Sequence, residues 1–120
     1  MINLENFNEN FKYYGNEVVV QIIDMFAEDY QEDMKMIEQN INNRDFLSLR
    51  FNAHHLKGSI ANFMDPETTE LTRKLEEMGE TKTDEGLTKT YTELQSAIEA
   101  LMHELVIYRK KMTSCQTCAN

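Results

Sequence analysis

Apolar side chains recur at intervals of three or four residues along most of this 120-residue chain. The longest stripe runs for about six turns, with the spacing of one face of an α-helix. Its members are Val19, Ile22, Ile23, Phe26, Tyr30, Met34, Ile37 and Ile41. One proline and four glycines are too few for a turn-rich β protein, so the sequence predicts an all-α fold.

Start and stop signals divide the chain into five predicted helices. The first, residues 3–13, is short and places Leu4, Phe7 and Phe11 on one side. The second helix has its N-cap at Asn16, and the third is capped by Asp45 and runs to about Met64. Asp65 and Pro66 begin the fourth helix and Gly79 ends it. The fifth helix runs from near Asp84 to Met112.

Four long helices with short connections bury their apolar stripes most economically as an antiparallel up-and-down four-helix bundle. The short first helix would cap or flank that bundle. A coiled-coil dimer is the alternative, but the stripes include extra apolar positions such as Ile23 and Phe46, which a narrow coiled-coil seam does not need. We therefore expect a monomeric domain over residues 1–112, followed by a polar, disordered tail over residues 113–120.

The charge balance bears on the partners of this domain. Lys and Arg number 12 and Asp and Glu 21, for a net charge of −9, which disfavours binding to nucleic acid or to anionic lipid. No apolar run approaches the roughly 20 residues that span a bilayer, and the start of the chain lacks the pattern of a signal peptide. These features predict a cytoplasmic protein without nucleic acid or membrane partners.

A histidine motif lies on the third predicted helix, in the stretch from Ala53 to Ser59 with the sequence A-H-H-L-K-G-S. Helical spacing puts His54, Lys57 and Gly58 away from the core stripe, together with Leu47, Phe51 and Ala61. An imidazole with an unperturbed pKa of about 6.5 is a neutral nucleophile in the cytoplasm. A glycine inside a helix costs about 0.5–1 kcal/mol relative to alanine, and core packing does not explain Gly58.

The run A-H-x-L-K-G-S, continuing Ile60-Ala61-Asn62-Phe63, resembles the signature of histidine-containing phosphotransfer (HPt) domains of two-component phosphorelays. The resemblance implies that His54 is phosphorylated, that Lys57 offsets the phosphate charge and that Gly58 leaves access. His55 occupies the variable place of the motif. One departure is Met64, where family members often carry a glycine.

By the same resemblance, the partners are receiver domains of hybrid sensor histidine kinases and response regulators. The receiver aspartate would give or take the phosphoryl group, and Mg²⁺ would be held by the receiver, so that this chain needs no cofactor or metal of its own. The sequence has no GxxxxGK[ST] motif for ATP. Candidate docking residues are Leu47, Phe51, Ala61 and Asn62, unless the first helix covers Leu47 and Phe51.

Other classes of function stay open at this point. A non-catalytic helical adaptor would use the same bundle with His54 incidental. A metal-binding bundle would need Glu-x-x-His pairs on facing helices, which the sequence lacks. Cys115 and Cys118 form half of a zinc site at most, with His103 inside the last helix, and an unstructured tail is favoured over metal binding or redox sensing.

Overall fold

The computed structural model describes the backbone of residues 1–119 and the side chains of residues 1–113. Within that part of the chain there are five helices and no strands. The helices are α1 (Leu4–Phe11), α2 (Asn16–Asn42), α3 (Phe46–Ala61), α4 (Pro66–Thr81) and α5 (Leu87–Ala119). The all-α prediction is confirmed, and no helix among the described residues is both long and apolar enough to cross a membrane.

Helices α2 to α5 form an antiparallel bundle in which each packs on its two neighbours in a ring. Contacts join α2 to α3, α3 to α4, α4 to α5, and α5 back to α2. The stripe predicted for α2 faces the interior, where Ile23 and Ile37 are fully buried, and the stripe of α3 meets it. The other members of the core whose side chains are essentially inaccessible include Leu49, Leu56, Ile60, Phe63, Leu75, Leu94, Ile98 and Leu101.

The predicted end of α4 at Gly79 is wrong, because the helix continues to Thr81 and closes on Lys82, which has φ of 55°. Gly79 is buried against α3 instead. A Cβ built on it would lie 2.7 Å from the backbone nitrogen of Arg50 and 2.9 Å from the carbonyl oxygen of Phe46. This glycine therefore lets the backbones of α3 and α4 approach closely.

Helix α1 closes one end of the bundle beside the C-terminal end of α3. Phe7 is fully buried and stacks against Phe63, and its ring edge meets Tyr108 of α5 at a centroid distance of 4.6 Å. The expectation that Leu4 belongs to the buried side is wrong, since Leu4 is 56% exposed and Ile2 is buried in its place. Ile2 is held there by its backbone N–H, which donates to the carboxylate of Glu104 at 3.1 Å.

Other helix ends also differ from the predicted ones. Asn16 is the first residue of α2 rather than its cap, and Gly15 occupies the N-cap position with an extended backbone. Helix α3 ends at Ala61, and Met64 then adopts a φ of 56°, a left-handed conformation that favours glycine. Helix α5 begins at Leu87 rather than near Asp84, and its backbone continues past the predicted end at Met112, so that residues 113–119, expected to be a disordered tail, continue the helix. The side chains of Cys115 and Cys118 lie outside the described residues, so the predictions about metal binding and redox sensing by these cysteines stay predictions.

Candidate functional site

His54 lies on the outer face of α3, halfway along the helix. The side chains of Ala53 and Leu56 on either side of it are completely buried, which fixes the rotation of the helix about its axis. Because His54 is displaced from that buried stripe, its imidazole is 72% exposed. The predicted exposure of this histidine on the non-core face is therefore observed.

Glu76 of α4 reaches across the α3/α4 seam and binds two members of the motif. One carboxylate oxygen, Oε2, lies 2.5 Å from Nδ1 of His54, and the other, Oε1, accepts a hydrogen bond from Nζ of Lys57 at 2.9 Å. An ionised carboxylate can only accept, so the neutral imidazole must carry its proton on Nδ1. The arrangement leaves the lone pair of Nε2 directed away from Glu76 and available as a nucleophile.

The charge of Glu76 is maintained by this pair of contacts. Its side chain is only 18% exposed, and this burial by itself raises the pKa of the carboxyl. The hydrogen bonds from Lys57 and His54, with the charges of the same two groups, outweigh burial and leave the pKa of Glu76 below its usual range. Glu76 is therefore ionised near neutral pH and keeps its role as acceptor.

Lys57 and Gly58 occupy different surroundings, although both belong to the motif. Lys57 is half-buried, and its ammonium group is engaged with Glu76. Gly58 is exposed, and a Cβ built on it would meet no atom of the protein within 4 Å. Packing among the described residues does not require a glycine at this position.

The four predicted docking residues are all solvent-exposed, but only Leu47, Phe51 and Ala61 belong to α3, whereas Asn62 is its C-cap and lines the groove beside His55. Phe51 is 73% and Leu47 69% exposed, and Ala61 and Asn62 lie beyond Gly58 toward the end of the helix. Helix α1 does not cover Leu47 or Phe51, because it packs around Phe63 at the far end. The alternative in which the first helix hides these side chains is therefore wrong.

His55 faces the opposite flank of α3 and does not share the surroundings of His54. It lines a groove of about 210 Å³ between α2 and α3, together with Met25, Asp33 and Ser59. Burial raises the pKa of Asp33, and the neighbouring acids Asp29 and Glu32 raise it further, against the opposing effect of His55. The two adjacent histidines thus contact different helices, and only His54 is paired with Glu76.

Sequence reasoning missed Glu76 and did not single out Arg50. Both line a concavity of about 380 Å³ beside His54, with Phe51 and Glu80. Glu76 follows the core residue Leu75 and looked like any acid on a solvated helix face. The position of Glu76 opposite His54 follows from the close approach of α3 and α4 at Gly79. Gly79 was predicted to end α4, and interpreting it as a contact between the two helices would have indicated that Glu76 faces His54.

Metal-binding geometry is not found around this site or elsewhere in residues 1–113. No three side chains of the His, Cys, Asp or Glu types come together there in a way suited to a metal ion. His103, which could have joined a zinc site with the two cysteines, is exposed on α5. The side chains around the exposed imidazole of His54 are the carboxylates of Glu76 and Glu80 and the cations Arg50 and Lys57.

Comparison with known families agrees with this arrangement. A family model of the Hpt domain matches residues 21–105, well over half of the chain, and the matched range contains every residue of the site described above. No curated protein and no solved structure matched the chain. The chain therefore belongs to the Hpt family, whose members are histidine phosphocarriers that work with receiver domains in two-component phosphorelays.

Proposed function

We propose that this protein accepts a phosphoryl group on Nε2 of His54 from the aspartate of one receiver domain and passes it to the aspartate of another. The donor and acceptor belong to hybrid sensor kinases and response regulators. One observation carries the proposal: the exposed imidazole has its Nδ1 bound to the Glu76 carboxylate, which leaves Nε2 free to react. Glu76 is a positioning residue in this scheme.

The transfer itself needs no proton movement. The lone pair of Nε2 attacks the phosphorus of the aspartyl phosphate, an N–P bond forms, and the P–O bond to the aspartate breaks to release a carboxylate. The ring then carries a positive charge, and its Nδ1–H still donates to Glu76, which stabilises that charge. A cationic imidazole is also a good leaving group, so the same contact serves the reverse reaction with the second receiver.

This protein would contribute position and access rather than the whole catalytic apparatus. Mg²⁺ bound in the receiver stabilises the negative charge of the transferring phosphoryl group. The helical bundle holds His54 rigidly, because Ala53 and Leu56 are locked in the core beside it. The open space at Gly58 admits the phosphoryl oxygens and the loops of the receiver.

The receiver would dock on the outer face of α3, on the exposed residues Leu47, Phe51, Ala61 and Asn62. Two large apolar side chains standing in solvent near the reactive histidine are typical of an interaction surface. We expect Phe51→Glu to weaken receiver binding without unfolding the protein. Val106→Glu is the matched control, since Val106 is 43% exposed on α5, which lies diagonally across the bundle from α3. Equal transfer rates in both variants would contradict this docking surface.

Labelling from a charged receiver tests the proposed function. Each receiver of the source organism is phosphorylated with labelled acetyl phosphate in the presence of Mg²⁺, separated from the reagent and mixed with the wild type, His54→Gln or His55→Gln. The wild type and His55→Gln should acquire an acid-labile, base-stable label, and His54→Gln should not. Equal labelling of the two variants would refute the assignment, and a wild type that no receiver labels would favour a non-catalytic adaptor.

A further inference from the structure

The positive charges near His54 are few, and they are not equally available. The chain as a whole carries a net charge of −9, so a phosphoryl group entering this surface needs a nearby cation. Lys57 is the cation that the motif supplies, but its ammonium group is hydrogen-bonded to Glu76 at 2.9 Å. Releasing it would leave the carboxylate of Glu76 without its main partner and beside an incoming dianion.

Arg50 is the other cation at the site. It lies four residues before His54, on the same side of α3, at a spacing that brings two side chains of a helix next to each other. Its side chain is exposed and lines the same concavity as His54 and Glu76. Among the residues whose side chains are described, no carboxylate forms an ion pair with it, and Glu80 on the same rim is not within pairing distance.

The backbone of Arg50 is held firmly, although its side chain is free. Gly79 brings α4 against α3 so closely that an added Cβ would lie 2.7 Å from the backbone nitrogen of Arg50 and 3.0 Å from its Cα. The side chain of Arg50 therefore starts from a fixed point of the α3/α4 seam, one helical turn before His54, and its guanidinium group can move in solvent. A planar guanidinium can give two parallel hydrogen bonds to the oxygens of a phosphoryl group, which an ammonium cannot do.

We infer that Arg50 binds the phosphoryl oxygens once His54 is phosphorylated, while Lys57 stays with Glu76 and keeps the imidazole oriented. The motif lysine then acts through the carboxylate, and the arginine outside the motif makes the direct phosphate contact. This inference rests on the proposed phosphorylation of His54 and assigns the phosphate contact within that site.

Phosphorus NMR of the phosphorylated full-length protein tests the assignment. The phosphoryl resonance of the wild type, Arg50→Gln and Arg50→Lys is followed against pH, and the equilibrium of transfer with one receiver and the KM for that receiver are measured in parallel. Arg73→Gln is the matched control, because it removes the same charge from an arginine of α4 that is already paired with Glu70 and Glu77. Circular dichroism checks that each variant folds.

Loss of the arginine should affect the phosphorylated state alone. We expect Arg50→Gln to raise the second pKa of the phosphoryl group and to shift the transfer equilibrium toward the receiver by about three- to tenfold, in the range of a charge-assisted hydrogen bond at a partly exposed site. Arg50→Lys should recover part of the shift, and Arg73→Gln should match the wild type.

Two results would overturn the inference and leave the proposed function intact. In the first, Arg50→Gln and Arg73→Gln give the same phosphoryl pKa and the same equilibrium. In the second, Arg50→Gln raises only the KM for the receiver, with the phosphoryl resonance unchanged, which would make Arg50 a contact for the receiver protein. A wild type without any phosphoryl resonance would instead contradict the proposed function itself.

Discussion

Two glycines on facing helices should respond in opposite ways to the same substitution. Gly58 is exposed inside α3, and a Cβ there meets no atom within 4 Å. Alanine would remove the helix penalty of glycine at no steric cost, so Gly58→Ala should raise the free energy of unfolding by about 0.5–1 kcal/mol. The added methyl group would stand in the space beside His54, so the same variant should transfer phosphoryl groups more slowly.

Gly79→Ala should do the reverse to stability. The new Cβ would lie 2.7 and 2.9 Å from backbone atoms of α3, and backbone cannot rotate out of the way as a flexible side chain can. Overpacking of this kind costs about 1–3 kcal/mol, more than the gain in helix propensity. Pushing α4 outward would also separate Glu76 from His54.

Urea unfolding, followed by circular dichroism, measures the stability of both variants. With an unfolding free energy that falls by about 2 kcal/mol per molar urea, a gain of about 0.5–1 kcal/mol raises the urea concentration at the midpoint by about 0.3–0.5 M. Transfer from a charged receiver is then timed under conditions where each variant is folded. A Gly58→Ala protein that is less stable than the wild type would refute the conclusion that a side chain at residue 58 meets no other atom of the protein. One that is more stable and transfers at the wild-type rate would refute the role of Gly58 in access.

Two further predictions concern carboxylates. The pKa of Glu76 lies below its ordinary value of 4.5, so the ionised carboxylate stabilises the folded state above that pH, and this stabilisation is lost as the pH falls through the lowered pKa. The difference in unfolding free energy between the wild type and Glu76→Gln should therefore shrink on acidification. A difference that does not change with pH in urea titrations would contradict this prediction. Asp65 is buried and accepts hydrogen bonds from the backbone N–H and the hydroxyl of Thr68, so Asp65→Ala should lower the free energy of unfolding by about 2 kcal/mol. Asp45 is an exposed N-cap that accepts only from the backbone N–H of Ser48, so Asp45→Ala should lower it by about half as much. Equal losses in thermal or urea unfolding would argue against the buried network.

Periodicity was sufficient to predict the helices and most of the core. The spacing of apolar residues in α2 identified Val19, Ile23 and Ile37 as buried, because a helix that must bury one face repeats that face every 3.6 residues. The same reasoning placed His54 outside the core. Helix termini were less predictable, since Asn16 and Gly15 are both acceptable at the start of a helix and the choice depends on backbone conformation.

Contacts between helices could not be derived from single stripes. A glycine late in a helix is compatible with a C-terminal stop or with a close approach to a neighbour, and Gly79 proved to be the second. The register of α3 against α4 follows from that approach, and it determines that Glu76, rather than Glu77 or Glu80, meets His54. Met64 stands where family members often carry a glycine, yet it adopts the left-handed backbone conformation that favours glycine. A residue other than glycine can thus hold this conformation where the surrounding fold requires it.

The nitrogen that carries the phosphoryl group is the most direct test of this account. The protein is labelled with ¹⁵N at histidine, phosphorylated by a charged receiver, and its ³¹P–¹⁵N couplings are measured. We predict a single N–P bond at Nε2 of His54, with Nδ1 still protonated toward Glu76. A bond at Nδ1 of His54, or at either nitrogen of His55, would contradict the assignment of Glu76 as the residue that selects the reactive nitrogen.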